Sequence, residues 1–226
     1  RLVALLLVLG VLLTGCSGKT KKDDNKVKIG VTLYNQQDTF VSSMMEEFVD
    51  YVAEKESEEG VTILVEVYNA SDDQTTQNNQ VKTMINDGCN VICVNLVDRT
   101  APASIIDMAE SADIPIVFFN RELVQEDLGR WDKLYYVGAD AVESGSMQGE
   151  MVAQYFLENE SVDKNEDGHL QYIVLEGEAG HQDAILRTES STKAITNAGV
   201  KVDKLGYAIA NWNRAQAQTK MNQLLE

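Results

Sequence analysis

From Val27 to the C-terminus, short apolar runs alternate with longer stretches in which apolar residues recur every three or four positions. The runs are rich in β-branched residues and mostly apolar on both faces, which is typical of buried parallel strands. They read VKIGVTLY, VTILVEVY, NVICVNLV, IPIVFFN, LYYVGA, LQYIVLEGE and VKVDKLGYAI. The spacing between them predicts helices over residues 40–58, 74–87, 101–112, 142–158, 183–198 and 213–225.

This alternation predicts an α/β fold, because strand, helix and strand in succession form right-handed crossovers that cover a parallel sheet with helices. The stretch LVQEDLGRWDK, which follows IPIVFFNRE, is polar and irregular and is interpreted as the crossover between two lobes. Residues 27–121 are therefore predicted to form one α/β unit, and residues 122–226 a second. Neither GxGxxG nor GxxxxGK[ST] opens any predicted helix, so no motif supports nucleotide binding.

The N-terminus carries an apolar run, LVALLLVLGVLL, directly after Arg1. A membrane-spanning helix needs about 20 apolar residues, so this shorter run is interpreted as the core of a secretory signal whose basic start precedes Arg1. It ends in LTGC, and the small residue before Cys16 predicts lipoprotein processing: residues 1–15 are a signal peptide and Cys16 carries the lipid. Residues 16–26 are polar and predict a flexible tether. The alternative is an ordinary signal peptide that contains a cysteine.

Charge and cysteine spacing exclude some functions. The formal net charge is −17, which makes nucleic acid a poor partner because its binding depends on Lys and Arg at phosphates. Cys89 and Cys93 lie in or beside one predicted strand, where four residues of rise separate them by about 13 Å. That separation exceeds disulfide reach, and we interpret them as buried free thiols rather than a redox or metal pair.

Polar and aromatic residues follow several predicted strands, at the edge of the sheet where ligands of open α/β folds bind. They are Asp38 and Phe40 after the first strand, Asn95 and Asp98 after the third, His181, Asp183 and Arg187 after the sixth, and Trp212 after the seventh. Carboxylates accept hydrogen bonds from hydroxyls, Arg and His donate, Asn does both, and aromatic faces cover C–H groups. This set predicts a site for a neutral polyhydroxylated ring. Two alternatives stay open: Phe40 packs against its own helix start, and Arg187 is a surface charge.

The same segments resemble the periplasmic glucose/galactose-binding proteins of bacterial ABC transport, from about Lys28 to Leu225. The shared stretches are IGVTLY…DTF, NLVD, IPIVFFN, YYVGAD…ESG…QG, D-x-N-x-DG, LEGEAGHQDAILR and NW…AQAQTKM. The resemblance implies a two-lobed periplasmic-binding-protein fold, with parallel sheets flanked by helices and the ligand between the lobes. It also implies that the family continues past Glu226, so that the C-terminal part of the fold is missing from this chain.

The resemblance assigns roles to the strand-end residues. It implies that Asp38 holds the 4-hydroxyl of the sugar, that Phe40 and Trp212 stack on opposite faces of the ring, and that the remaining hydroxyls bind Asn95, His181, Asp183 and Arg187. Two departures are visible: Gln182 stands where the family usually has proline, and Arg121 stands where lysine is usual. Neither departure falls on an assigned ligand.

The function implied by the resemblance is an extracytoplasmic, lipid-anchored binding protein that delivers D-galactose or D-glucose to an ABC transporter. Its partners are then the monosaccharide and the permease, with membrane contact through the lipid only, no nucleic acid, a monomeric state and no enzyme activity. A sugar-responsive transcription regulator has similar lobes but begins with a basic helix-turn-helix. A glycoside hydrolase needs two carboxylates about 5–9.5 Å apart, for which Asp38 and Asp183 are candidates from different lobes.

A second constellation predicts a calcium site. The segment DKNEDGHLQ from Asp163 follows the first nine positions of an EF-hand loop, with glycine at position six and a backbone carbonyl at position seven. The predicted ligands are Asp163, Asn165, Asp167, His169 through its carbonyl, and Gln171. Position twelve is Val174, so the usual bidentate carboxylate is absent, and the resemblance implies that a glutamate beyond Glu226 replaces it. The alternative is a solvated Asp/Asn turn.

Overall fold

The computed structural model describes residues 25–226, so the predicted signal peptide, Cys16 and nearly all of the tether lie outside the described residues. Strands and helices alternate within this range as the sequence predicts. The strands are β1 (Lys26–Leu33), β2 (Thr62–Asn69), β3 (Val91–Val94), β4 (Ile116–Phe119), β5 (Leu134–Val137), β6 (His169–Glu176) and β7 (Lys201–Ile209). The helices are α1 (Thr39–Glu59), α2 (Gln74–Asn86), α3 (Ala103–Ser111), α4 (Gln125–Leu128), α5 (Ala141–Glu158), α6 (Gln182–Asn197) and α7 (Arg214–Leu224). None of these helices combines the length and the apolar character needed to cross a membrane.

The first sheet has five parallel strands in the order β2-β1-β3-β4-β5. In its centre, Ile29 of β1 pairs with Val65 of β2 and with Val91 of β3. Apolar residues are buried on both faces: Phe118 belongs to a cluster on one side, and Val31 belongs to a separate cluster with α1. Burial on both faces is the property that the unbroken apolar runs predict.

The second sheet consists of β6 and β7, which pair in parallel with a register shift between Tyr172 and Ile173. Helices α5 and α6 pack against each other beside it. Its buried cluster is small and consists of Ala153, Ile195 and Val200. This second unit therefore buries far less apolar surface than the first.

The predicted lobe boundary after residue 121 is wrong. Strand β5 belongs to the first sheet, where Tyr135 pairs with Val117 of β4. The polar stretch before it contains the short helix α4 and packs Leu123, Leu128 and Trp131 against the first core. It is therefore a crossover inside the first unit, and the chain passes to the second unit only after β5, over residues 138–140.

Both described cysteines are free thiols, as predicted. Cys89 is buried in the turn before β3, and Cys93 is half-buried within that strand. Burial raises the pKa of the Cys93 thiol to about 11, which keeps it protonated and unreactive at neutral pH.

Candidate functional site

A cavity of about 610 Å³ lies where the carboxyl ends of the first-sheet strands face the loops of the second unit. The first unit supplies residues that follow β1, β4 and β5, and the second supplies the start of α6 and the loop after β7. Six of the seven predicted sugar-site residues line it: Asp38, Phe40, His181, Asp183, Arg187 and Trp212. Residues up to 174 positions apart in the chain therefore meet in one cavity, as their positions after the strands predict.

Asp38 has a fixed carboxylate because it caps the N-terminus of α1. Its Oδ1 accepts hydrogen bonds from the backbone N–H groups of Phe40 (2.8 Å) and Val41 (3.1 Å). The Tyr34 hydroxyl donates to Oδ2, and burial together with this bond raises the pKa of Tyr34. The carboxylate is thus held rigidly at the cavity wall, and its remaining lone pairs can accept from a ligand hydroxyl.

The two aromatic residues extend from opposite units. Phe40 is 63% exposed, so it does not pack against its own helix start. Trp212 and the preceding Asn211 both have a left-handed backbone conformation, with φ values of 57° and 50° respectively. This conformation costs energy for non-glycine residues. Its indole lies over Gly177, where a Cβ atom would be 2.2 Å from Trp212 Cζ2. The His181 ring contacts the indole edge-on, with centroids 5.5 Å apart.

The start of α6 places three polar groups on the cavity. His181 caps the helix, and its Nδ1 accepts from the Asp183 N–H at 3.2 Å, so the neutral ring carries its hydrogen on Nε2. Burial, with help from the cations Arg121, Arg99 and Arg187, lowers the pKa of His181 to about 4. Arg187 donates to Asp183 Oδ2 at 3.1 Å, while burial raises the pKa of Asp183. The ring is therefore a hydrogen-bond donor at neutral pH.

Asn95, the seventh predicted ligand, does not line this cavity. It is fully buried after β3, and its Nδ2 donates to the Phe119 carbonyl (3.2 Å) and to Asn120 Oδ1 (3.0 Å). The neighbouring Asn120 lines the cavity, and a direct contact between Asn95 and a sugar stays a prediction.

Sequence reasoning missed Asn120 and Arg121 as lining residues. Both follow β4, so the rule that selected the other candidates applies to them equally. A further signal was the residue type, because Asn120 has a φ of 63° and asparagine is one of the few non-glycine residues that adopts this region readily. Because its backbone is left-handed, Asn120 leaves the alternating side-chain pattern of β4, and it lines the cavity.

Arg121 links the two units. Its guanidinium lies 3.6 Å from the centre of the Tyr34 ring, Nη1 donates to the Val97 carbonyl at 3.0 Å, and Nη2 forms an ion pair with Glu178. Glu178 follows β6 in the second unit. The Arg121 side chain is 6% exposed and that of Glu178 is 40% exposed, so the bridge is buried at one end only.

The predicted calcium loop is a compact turn held by its own oxygens. Asp163 Oδ2 accepts from the Gly168 N–H at 2.7 Å, and Asp167 accepts from the amides of Asn165 and Gln171. Asp163 Oδ1 is buried and accepts no hydrogen bond from the described residues. An oxygen-rich loop with one unused buried carboxylate oxygen fits a hard cation chemically. Across residues 25–226, however, no cluster of three or more His, Cys, Asp or Glu side chains is arranged to hold a metal.

Two parallel-sheet units with a cavity of polar and aromatic residues between them define an α/β ligand-binding domain. The model of the periplasmic binding protein domain matches residues 29–226. The chain belongs to this family.

Several known proteins are similar to the chain. The D-galactose/methyl-galactoside-binding periplasmic protein of Haemophilus influenzae is 34% identical over 195 residues, which are 86% of this chain and 57% of that protein. A solute-binding protein of Bacillus halodurans with bound myo-inositol is 26% identical, with a TM-score of 0.70 over 90% of this chain and 64% of its own. A third, from Actinobacillus succinogenes with bound D-allose, is 20% identical with a TM-score of 0.71, over 88% and 65% of the two chains, and supports the fold alone. The chain thus spans less than two thirds of these relatives.

Proposed function

We propose that the protein is an extracytoplasmic solute-binding protein that holds D-galactose or D-glucose between its two units and delivers it to an ABC transporter permease without chemical change. The observation that carries the proposal is the cavity itself, which combines Phe40 and Trp212 from different units with a fixed carboxylate, a neutral imidazole and a guanidinium. Membership of the periplasmic binding protein family and the named ligand of the Haemophilus relative support it.

The lining matches the two kinds of surface on a pyranose. Hydroxyls exchange water for protein partners with a modest net gain, about 0.5–1.5 kcal/mol for each neutral hydrogen bond. Aromatic faces add apolar burial over the C–H faces of the ring, which water does not replace. Because Phe40 and Trp212 belong to different units, a ring held between them favours closure, and a closed form is a state that a permease can recognise.

The test is isothermal calorimetry of the intact protein with D-galactose and D-glucose. Trp212→Ala should weaken the binding of both sugars, because both present C–H faces, by roughly 2 kcal/mol if it behaves as a central aromatic anchor. Asp38→Asn keeps the helix cap but removes the charged acceptor, and should also weaken both. Tyr51→Ala, at an exposed aromatic outside the cavity, is the matched control. Unchanged affinity in Trp212→Ala would falsify the proposed site.

The choice of sugar is a finer part of the proposal. The named or bound ligands of the relatives include a galactoside, myo-inositol and D-allose. Calorimetry with these compounds beside D-glucose ranks them directly, and we expect D-galactose or D-glucose to bind most tightly. Recovery of unaltered sugar after prolonged incubation tests the absence of turnover. Tighter binding of inositol or allose would replace the proposed ligand while leaving the binding function intact.

Calcium is proposed as a structural ion of the Asp163 loop. The oxygens available to it belong to the side chains of Asp163, Asn165, Asp167 and Gln171 and to the carbonyl of His169. An ion that binds only the folded state stabilises it by about 2.7 kcal/mol at a hundredfold excess over the dissociation constant. Chelation should therefore lower the melting temperature of the intact protein, and Asp163→Ala should abolish that response. A melt that is insensitive to chelator would identify the loop as an ordinary turn.

Lipid anchoring through Cys16 is proposed from the LTGC sequence. In cells that express the intact protein, Cys16→Ser should move it from the membrane fraction to the soluble fraction. Cys89→Ser, which removes a buried thiol, is the control and should leave the distribution unchanged. A Cys16→Ser variant that stays in the membrane fraction would contradict the anchor.

A further inference from the structure

The connection between the two units is short and is anchored at both ends. The Val137 carbonyl accepts a hydrogen bond from the Asn120 N–H at 3.0 Å, so the first sheet holds the backbone as far as the end of β5. Asp140 caps α5 with its side chain. Between these anchors lie Gly138 and Ala139 alone. Because α5 packs along α6, a change in the backbone angles of these two residues turns the second unit against the first.

The side chain of Tyr136 lies across this connection. Alternate side chains of a strand point to the same face, and they lean along the chain, so Tyr136 and Gly138 share a face. A Cβ atom on Gly138 would lie 1.9 Å from the Tyr136 hydroxyl oxygen and 2.4 Å from Cζ. Gly138 does not have a positive φ. The contact with the ring, rather than the backbone conformation, therefore demands glycine at this position.

The Tyr136 ring is held in this place by a hydrogen bond and by packing. Its hydroxyl donates to the Asn120 carbonyl at 3.2 Å, and the ring packs against the core of the first unit. Burial raises the pKa of Tyr136 to about 12, so the hydroxyl stays protonated and remains a donor at neutral pH. Displacing the ring would break this hydrogen bond and leave a gap in the core, and both changes cost free energy.

We propose that Tyr136 is a positioning residue that sets the angle between the two units, because its ring fills the side-chain space of Gly138 and so restricts the connection. The hydrogen bond to the Asn120 carbonyl ties this restriction to a turn that lines the cavity. The role rests on the proposed function, since closure around a sugar is the event that the angle controls. The restricted connection holds the cavity residues of the two units opposite each other before a ligand arrives.

Gly138→Ala is the direct test in the intact protein, with D-galactose affinity from calorimetry and the radius of gyration without sugar as readouts. The added methyl group and the Tyr136 ring cannot both keep their places, so the connection should adopt other angles. We expect a changed radius of gyration and a roughly tenfold loss of affinity, which corresponds to a binding-competent fraction of about one tenth. Unchanged values of both would overturn the proposal, whatever the melting temperature.

Gly129→Ala is the matched control for this substitution. Gly129 has a φ of −94°, and no atom lies within 4 Å of a Cβ placed on it. Its replacement should leave the affinity and the radius of gyration as they are. Changes in Gly129→Ala equal to those in Gly138→Ala would overturn the proposal, because they would follow from the loss of any loop glycine.

A second substitution decides whether the effect passes through Tyr136. In Tyr136→Ala the space over residue 138 is empty, so adding Gly138→Ala should alter neither readout further. An equal loss from Gly138→Ala in both backgrounds would overturn the role. If Gly138→Ala alone does not fold, restoration of folding by Tyr136→Ala supports the role, and failure to restore it overturns the role. Absence of sugar binding by the unsubstituted protein would overturn the proposed function, whereas the scattering comparison would still decide the role of Tyr136.

Discussion

The first unit supplies at least twice as many of the residues that line the cavity as the second, and the two units differ sharply in how those residues are supported. In the first unit, side chains as large as Phe118, Ile92 and Met84 are fully buried. In the second, six apolar residues are buried, and four of these are alanines: Ala141, Ala153, Ala184 and Ala210, beside Ile195 and Val200. The first unit therefore positions Asp38 and Asn120 through a packed sheet. The second positions His181 and Trp212 mainly through caps, turns and contacts with each other.

The largest expected difference between the units is in the stability lost when a buried isoleucine of each core is replaced by alanine, which leaves a cavity. Ile116→Ala removes a fully buried side chain from β4, whereas Ile195→Ala removes a 6% exposed one from α6. We expect losses in the free energy of unfolding of about 4–5 kcal/mol and about 2 kcal/mol, the two ends of the range for this substitution. Urea denaturation of the intact protein measures both.

The two variants serve as matched controls for each other, because the side chain and the substitution are the same. Their ranking depends on how densely the surroundings are packed rather than on the residue type. Equal losses would mean that the second unit is as well packed around α6 as the first is around β4. The first unit would then not hold its cavity residues on a more tightly packed core than the second.

This difference in support also explains what could be predicted from the sequence. The alternation of elements was predictable because the buried parallel strands of the first unit are apolar on both faces. The lobe boundary was not, since Leu123, Leu128 and Trp131 pack against the first core from within a stretch whose overall composition is polar. Pairing of β5 with β4 is a long-range contact that composition does not encode.

Within the site, the sequence predicts which residues follow the strands, but it does not predict which of their side chains line the cavity. Six strand-end residues converge as expected because parallel strands end at one edge of a sheet. Asn95 and Asn120 both follow strands, yet only Asn120 lines the cavity. That distinction depends on one left-handed residue and on a hydrogen bond from the neighbouring strand, neither of which the hydrophobic pattern reveals.

A smaller effect is expected from the bridge between the units. Glu178→Gln removes the charge that pairs with Arg121 and should shift the intact protein towards an open arrangement of its two units. Because Glu178 is 40% exposed, solvent screens the pair and its contribution is at most about 1 kcal/mol. Sugar affinity should fall by up to roughly fivefold, since binding is reduced by the fraction of closed molecules. Calorimetry and small-angle scattering without sugar measure the two effects.

Glu189→Gln is the matched control for this bridge. Glu189 is an exposed carboxylate on α6, so its replacement changes the net charge equally without touching Arg121. Equal effects in the two variants would assign the change to overall charge. An unchanged radius of gyration together with unchanged affinity in Glu178→Gln would show that the bridge does not influence closure.

The smallest expected effect is the response of the site to pH. Burial and the neighbouring arginines lower the pKa of His181 to about 4, so its ring should stay neutral between pH 8 and pH 5. Sugar affinity should therefore be insensitive to His181 protonation over that range. The chain has two histidines, and His169→Gln leaves one, so a nuclear magnetic resonance titration of that variant follows His181 alone. A midpoint near 6.5 would contradict the prediction.

The same pKa has a consequence for folding with a defined sign. In the unfolded chain the imidazole pKa is about 6.5, and the folded value is lower, so the unfolded state takes up the proton first as pH falls. Stability should therefore be unaffected by His181 above pH 6.5 and should decrease from there down to about pH 4, the folded pKa. His181→Asn keeps a helix-capping acceptor but has no proton to gain. If the decrease over that window is as large in His181→Asn as in the unsubstituted protein, other groups cause it, and the second unit does not hold a buried neutral imidazole at the edge of its cavity.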